Sequence, residues 1–570
     1  MPHASFVHLQ VHSHYSMLAG ATAPKDLVAS AARTGQQHLA LSDCNGAWGN
    51  VAFQKACEAA GLRAIHGVEL TGEPALTDAI DAPRVVLHQL RGPRPRAVLL
   101  ARNPEGWAAI CRATSLRQLR PDFDLGATLR QLLVEHPHDL FVLCDDITLL
   151  RALAPLCPQR GQPGDPGALY VLLAWQECIH RPERLVGPKP PLEALKIWRH
   201  APRVPNHRRL RQLEQLAQRL HLPTVASGDV WFAEPDGLLT QRVLSAIRTR
   251  STLSRVKPPA LAPEGAWLRS PEEMAQLFDE FPDAVRNTLA IAEACTFRMK
   301  LGTWTYPDFP LPPGESAEGF LWKVAFDGLA RRFQPIPPHA MERLQEEMQV
   351  AVRLHFAEYL LVVWDIARYA HEEHIPVVGR GSAANSLLCY VLGITNIDPL
   401  AHDLFFQRFL NPERVSPPDI DLDFCWRRRD KVLRYVYERY GHDRVAMIGT
   451  INTFAARSGV REVAKTIGLS DREISPITDR LPHRSLGDFD SWQERIPEAR
   501  HLPMHEEPWR SILKVGTALE GFPRHMGIHA GGIVIGRAPL TNRFPLQWAR
   551  KGFVITQIDM YSMEDLGLVK

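Results

Sequence analysis

Several protein classes are excluded by what the chain has little of. Its nine cysteines are scattered over 570 residues with no C-x-x-C pair, which excludes a disulfide framework or zinc ribbon and predicts a reducing compartment. No apolar run reaches membrane-spanning length. The first thirty residues carry His, Gln and Ser where a secretory leader needs a basic start and an apolar stretch. The expectation is a cytoplasmic protein with no membrane partner. Neither sign of charge dominates: 66 Lys and Arg against 63 Asp and Glu leave +3, so the total neither demands nor excludes a polyanionic partner. Internal repeats are absent.

What remains is an ordinary globular composition, 45% hydrophobic and 23% charged, too apolar for a largely disordered chain. At about 150 residues per domain, the length predicts three or four domains. Clusters of proline and glycine at residues 155–167, 187–191, 257–265 and 307–314 mark the candidate seams. Up to about residue 253, short apolar runs (39–41, 98–100, 140–143, 170–173) alternate with helix-length segments such as 24–35, which reads as an α/β domain.

From 339 to 374 the pattern is helical with one or two interruptions. It leads into Ile375-Pro376-Val377-Val378, the turn Gly379-Arg380-Gly381-Ser382, and a helix-like stretch with Leu387, Leu388, Val391 and Leu392. A strand feeding a glycine turn that opens a helix gathers backbone N–H groups at one point, suited to phosphate, with Ser382 expected at the N-cap. No Gly-Lys-Ser/Thr follows, and taken alone the tetrapeptide favours a plain turn.

The partner motif is Pro417-Pro418-Asp419-Ile420-Asp421-Leu422-Asp423-Phe424. At strand period its acids share one face while Ile420, Leu422 and Phe424 line the other. Adjacent carboxylates repel unless cations neutralise them, and acids at i and i+2 can bracket two divalent ions for phosphoryl transfer. An edge strand charged against aggregation is the plainer alternative; the flanking apolar pattern favours metal. From Cys425 to Lys465 ten Lys and Arg stand against four acids. Such a run is usually a solvated helix face, but beside a metal strand it reads at least equally as a phosphate-backbone track.

A glycine turn followed by an Asp-x-Asp strand resembles the pattern of nucleotidyltransferases. The longer motifs are more specific: residues 375–395, Phe406-Gln407-Arg408-Phe409-Leu410-Asn411-Pro412-Glu413-Arg414, the acidic strand and His529-Ala530-Gly531-Gly532 resemble the C-family bacterial DNA polymerases, the DNA polymerase III alpha subunits. Ala383-Ala384-Asn385, Pro417-Pro418-Asp419-Ile420-Asp421 and Gly521-Phe522-Pro523-Arg524-His525 resemble its error-prone, damage-tolerance branch more than the main replicase.

The resemblance implies an α/β multidomain fold. Residues 1–265 would form a PHP-like domain, 266–445 and 521–570 a nucleotidyltransferase-like mixed palm, and 446–520 an inserted helical thumb. By motif match, Asp421 and Asp423 would be catalytic and hold two Mg2+ ions, with Asp419 supporting them. Gly379, Arg380, Gly381, Ser382, Arg524 and His529 would face the dNTP, with His525 a further phosphate candidate. Arg427, Arg428, Arg429, Arg457, Arg461 and Lys465 would track primer–template DNA. A sliding clamp and damage-tolerance accessory proteins would bind through regions this sequence does not contain. The family's third acid follows a Gly-Leu-Val/Leu-Lys segment in a Lys-x-Asp arrangement, whereas this sequence ends at Gly567-Leu568-Val569-Lys570; Asp559 and Asp565 precede that segment and do not match. Truncation before the fingers is the expectation, as a piece of a longer polymerase or a shortened product. A non-catalytic DNA-binding or assembly module in a damage-response complex is the alternative, and a PHP phosphoesterase a distant third.

The PHP resemblance rests on Phe6-Val7-His8-Leu9-Gln10-Val11-His12-Ser13, Ala40-Leu41-Ser42-Asp43-Cys44 and Gly67-Val68-Glu69. Active PHP sites gather His and Asp/Glu around metal. Here Gln10, Cys44, Arg96 and Trp231 stand where that pattern has histidines, while His12, Asp43, Glu69 and Asp229 remain. Gln ligates poorly and Arg repels a cation, so the expectation is a structural domain without metal. The His12-x-His14 pair reads as surface histidines.

Overall fold

The computed structural model describes residues 6–72, 95–157, 167–179, 203–257, 260–411, 413, 417–481, 503 and 506–570. The seam at 187–191 lies outside them, and those at 155–167 and 257–265 lie partly outside. The protein is an α/β multidomain chain that divides into two compact units: residues 1–299, 449–527 and 541–552 form one, and 300–448, 528–540 and 553–570 the other.

The first unit is built on a six-stranded sheet of β1 (His38–Leu41), β2 (Arg63–Thr71), β3 (Arg96–Ala101), β4 (Leu140–Cys144), β5 (Leu169–Ala174) and β6 (Thr224–Ser227), in that spatial order. Pairings β1·β2, β4·β5 and β5·β6 are parallel; β2·β3 and β3·β4 are antiparallel. β4 and β5 are buried at every position, which is why they read as continuous apolar runs. Residues 8–12 bridge the two edges of the sheet. On one side Ala40 and Ser42 donate backbone N–H to His8 and Val11; on the other Val230 donates to Gln10, and His12 donates to Val230. The sheet thereby curls and gathers the residues after its strands around one centre. The helices α1 (Pro24–Arg33) and α2 (Asn50–Ala60) pack on its outside, with Leu27, Val28, Phe53 and Cys57 turned inward.

In the second unit, α3 (Ala317–Arg332), α4 (Pro338–Arg353) and α5 (Ala357–Glu372) surround the strand–turn–helix segment. The 339–374 pattern is thus two helices with one interruption. β7 (Val377–Arg380) follows, then a 3-10 turn (Gly381–Asn385) and the short helix α6 (Leu387–Val391). Leu321, Leu344, Met348, Leu360 and Leu388 form their common core. β8 (Asp421–Phe424) pairs antiparallel with β7 and leads to α7 (Arg429–Tyr440). Asp365 on α5 is buried and accepts hydroxyls from Tyr435 at 2.8 Å and Tyr440 at 3.0 Å, tying α7 to α5.

The chain passes between the units within β9 (Val445–Thr453) and β10 (Pro523–Ile535). Between them lie α8 (Ala456–Ile467), α9 (Asp471–Thr478) and α10 (Trp509–Ala518). Their buried Val460, Val463, Ile474 and Ile512 share a core with Leu18, Phe232, Val243 and Leu244 of the first unit. Of the 446–520 segment, which the sequence sets apart as a thumb, the described residues continue β9 and then form these three helices, packed within the first unit.

Candidate active site

The antiparallel register of β7 and β8 sets Asp421 opposite Arg380 and Asp423 opposite Val378. Strand alternation turns Leu422 and Phe424 into apolar clusters while both acids face outward. Tyr359 fastens the approach to this strand: its buried hydroxyl donates to the Pro418 carbonyl at 2.9 Å. Arg380 reaches across the ladder, with Nη2 3.4 Å from Asp421 Oδ2 and Nε 3.1 Å from Asp423 Oδ2. Two acids a strand repeat apart with one guanidinium between them form an exposed cluster with one negative charge in excess. Lys570 pairs with Asp419 at 3.3 Å. Asp559 is used locally, since its carboxylate caps the last helix by accepting the Ser562 N–H at 2.9 Å.

The glycine turn differs from its expected form in two ways. Gly379 and Arg380 belong to β7, so the turn itself is Gly381–Asn385. A Cβ on Gly379 would meet the Ile394 carbonyl oxygen at 2.2 Å, so this glycine serves close packing. Gly381, at φ +72 and with open space where a Cβ would stand, supplies the left-handed corner. Ser382 is inside the 3-10 turn and is not the N-cap. Ser386 is, accepting the Cys389 N–H on Oγ at 3.1 Å, because the 3-10 turn delays the α-helix by four residues.

The basic run is split. Arg427, Arg428 and Arg429 follow β8 directly, with Arg428 donating to the His374 carbonyl at 3.1 Å. Arg457, Arg461 and Lys465 lie on α8 in the first unit and turn toward α9. Arg457 donates to the Asp479 carbonyl at 3.1 Å, Arg461 to Asp471 at 3.1 Å and to Thr478 at 2.9 Å, and Lys465 pairs with Asp471 at 3.4 Å. Arg524, also in the first unit, pairs with Glu462 at 2.9 Å. His529 is in the second unit; its Nδ1 accepts the Gly531 and Gly532 N–H groups, and partial burial together with Lys570 and Arg429 holds its pKa below the ordinary histidine value.

In the first unit the curled sheet gathers Gln10, His12, Cys44, Glu69, Arg96, Asp145, Asp229 and Trp231. Arg96 lies 3.4 Å from Glu69, 3.3 Å from Asp145 and 3.0 Å from Asp229. Gln10 donates to Glu69 at 2.8 Å, and the Trp231 indole donates to Asp229 at 2.9 Å while its ring stacks on His12 at 3.9 Å. Burial alone would raise the Glu69 pKa, but Arg96 and His12 bring it down to about 2. Burial pushes Asp43 up to about 6 against hydrogen bonds from Ser16 and Ser13. The histidines expected as a surface pair are not one. His12 is fully buried and 3.3 Å from Glu69, while His14 packs edge-on against Tyr15 and Phe522. Among the described residues, His12, Cys44 and Glu69 bring one ligand atom each within 4.8 Å of one another. A cation fits that set poorly, because Glu69 already answers to Arg96 and Gln10.

Residues 319–570 match the family described as the bacterial DNA polymerase III alpha NTPase domain, and residues 8–163 match the PHP domain. Along 99% of its length the chain is related to the DNA polymerase III alpha subunits and error-prone DNA polymerases. The chain is 35% identical over 582 residues to an error-prone DNA polymerase of Symbiobacterium thermophilum, a match covering 99% of the chain and 50% of that protein. It is 34% identical to a DNA polymerase III subunit alpha of Bacillus subtilis (99% and 48% covered) and 32% identical to an error-prone DNA polymerase of Mycobacterium bovis (99% and 49%). The chain spans about half the length of the curated relatives it matches. Among its described residues no helix is long and apolar enough to cross a membrane.

Three features were not foreseen from the sequence. Trp426 is 81% exposed, with the Arg427 guanidinium 5.2 Å from its ring centroid. Asp145 joins the Arg96 cluster, and only its place just after β4 could have signalled that. Glu347, a carboxylate inside an amphipathic helix pattern, lies fully buried beneath α6.

Proposed function

We propose that the protein is a template-directed DNA polymerase of the error-prone type, extending a primer 3′-end from dNTPs in the cytoplasm. The observation that carries this reading is the pairing of the Asp421–Asp423 strand with the strand that feeds the Gly381 turn, inside the matched polymerase domain. Carboxylate oxygens at this spacing suit hard divalent cations, so Asp421 and Asp423 would hold Mg2+. When bound, the ions supply charge compensation to the triphosphate and acidify the primer hydroxyl. The chain's own part is to hold the two acids on one strand face, to present Gly381, Ser382 and Arg380 beside them, and to offer Arg427, Arg428 and Arg429 to the DNA backbone. Arg524 and His529 are kept as candidate nucleotide contacts, and a sliding clamp and accessory proteins as partners of the whole protein. We assign residues 1–265 to the PHP-like domain, 266–445 and 521–570 to the palm and 446–520 to the thumb. The PHP-like site is read as one whose cation is Arg96 and which holds no metal.

The test is primer extension by the full-length protein with Mg2+. Asp421→Asn is expected to abolish extension while leaving primer–template binding intact, and undiminished extension would sink the assignment. A second reading is favoured by Arg380, which already pairs with both acids. In that reading the protein is a non-catalytic DNA-binding module, and wild-type binding without extension is its signature.

A further inference from the structure

The short helix α6 has no backbone donors left at its start. Glu347 Oε1 accepts the Leu387 N–H at 3.0 Å, and Oε2 accepts the Leu388 N–H at 2.9 Å and the Ser386 hydroxyl at 2.7 Å. Ser386 Oγ in turn accepts the Cys389 N–H, and Arg343, one turn before Glu347 on α4, donates to Oε1 at 2.8 Å. The carboxylate that neutralises the positive end of this helix therefore comes from inside the core. Backbone groups that can meet an anion lie upstream, in the 3-10 turn, where Gly381 is exposed and Ser382 half-buried.

That turn is held at both ends. Upstream, β7 is locked to β8 by the ladder. Downstream, the Ser386 N–H closes on the Ala383 carbonyl at 3.2 Å and its hydroxyl is bound by Glu347. Nor can α6 withdraw toward α3, because a Cβ on Gly328 would stand 2.0 Å from the Val391 carbonyl oxygen. Among the described residues, the polar tie that fixes the turn's downstream end to α4 is the Glu347 carboxylate.

We propose that Glu347 is a positioning residue for the dNTP triphosphate: it sets the 3-10 turn against the acidic strand without touching the nucleotide. This rests on the polymerase reading of the turn. The opposite electrostatic role, a buried negative charge that competes with the triphosphate, predicts the reverse sign and so is separable.

The test titrates a fluorescent dNTP with Mg2+ into the wild-type chain, Glu347→Gln and Glu347→Asp, and measures primer–template affinity and melting temperature on the same samples. Glu347→Gln is expected to weaken dNTP binding about tenfold, the size of effect that outer-shell partners have. Primer–template affinity should stay unchanged, and Glu347→Asp should recover part of the loss. Unchanged or tighter dNTP binding overturns the proposal, as does a parallel fall of dNTP and DNA affinity with melting temperature. Should Glu347→Gln not fold, Ser386→Ala removes the link from the turn side and must weaken dNTP binding in the same direction; wild-type binding by that variant overturns the proposal too. A wild-type chain that binds no dNTP removes the reading of the turn itself, whereas dNTP binding sensitive to Glu347 without primer extension by the full-length protein removes only the polymerase assignment.

Discussion

Arg96 lies 3.0 Å from Asp229, and the same guanidinium reaches Asp145 at 3.3 Å and Glu69 at 3.4 Å. One fixed organic cation thus contacts three carboxylates at a centre where a PHP-type fold would gather metal ligands. Its planar fork carries five donors and cannot lose its proton at any relevant pH, so this positive charge is permanent.

Replacing that cation should be costly in a pH-dependent way. In the wild type, Glu69 has its pKa lowered from 4.5 to about 2, so its contribution is present above pH 4.5 and is lost as pH falls toward 2. Arg96→Met leaves buried carboxylates without their guanidinium partner and is expected to destabilise the first unit by about 3–5 kcal/mol at neutral pH. Burial then dominates and raises their pKa values, so the deficit should shrink from pH 8 to pH 5. Urea unfolding at both pH values measures it; a deficit that grows on acidification contradicts the Arg96 account.

Arg380 competes with cations for Asp421 and Asp423. Arg380→Ala should tighten Mn2+ binding at the acidic strand by about threefold at low salt, with the difference fading as ionic strength rises. Calorimetric titration at two salt concentrations decides it, and weaker binding in the variant would show that Arg380 orients the acids instead.

Asp365→Ala removes the acceptor shared by Tyr435, Tyr440 and Arg368 and leaves the Tyr440 hydroxyl buried without that acceptor. A loss of about 2–4 kcal/mol is expected in the second unit. Chemical unfolding followed by fluorescence reports it, and a change below about 0.5 kcal/mol would mean that solvent replaces the carboxylate.

The two halves of the basic run should behave differently on DNA. Charge removal at Arg427, Arg428 and Arg429 is expected to lower the slope of log affinity against log salt by about two to three. Arg461→Ala should leave that slope nearly unchanged and lower the melting temperature, because its side chain is engaged by Asp471 and Thr478. Equal slope changes would return the whole run to the DNA track.

Much of this was legible along the chain because it is local. Strand period placed the acids on one face of β8 and its apolar residues on the other, and apolar runs marked β1, β3, β4 and β5. Motif order alone pointed to the family. The exact start of α6 was not legible, since Ser382 and Ser386 are both acceptable caps and only the 3-10 turn chooses between them. Nor was the fate of Arg457, Arg461 and Lys465, because a basic helix face looks the same whether it meets phosphate or the acids of the next helix.

By itself the sequence determined which residues could carry charge, turn the chain and line a core, and therefore the elements and the family. Only the tertiary structure decided which charges meet. Arg96 and Asp229 are 133 residues apart along the chain, and Glu347 and Leu388 are 41 apart. Contacts at such separations are set by strand order and helix packing, and burial then makes each unpaired charge too costly to leave alone.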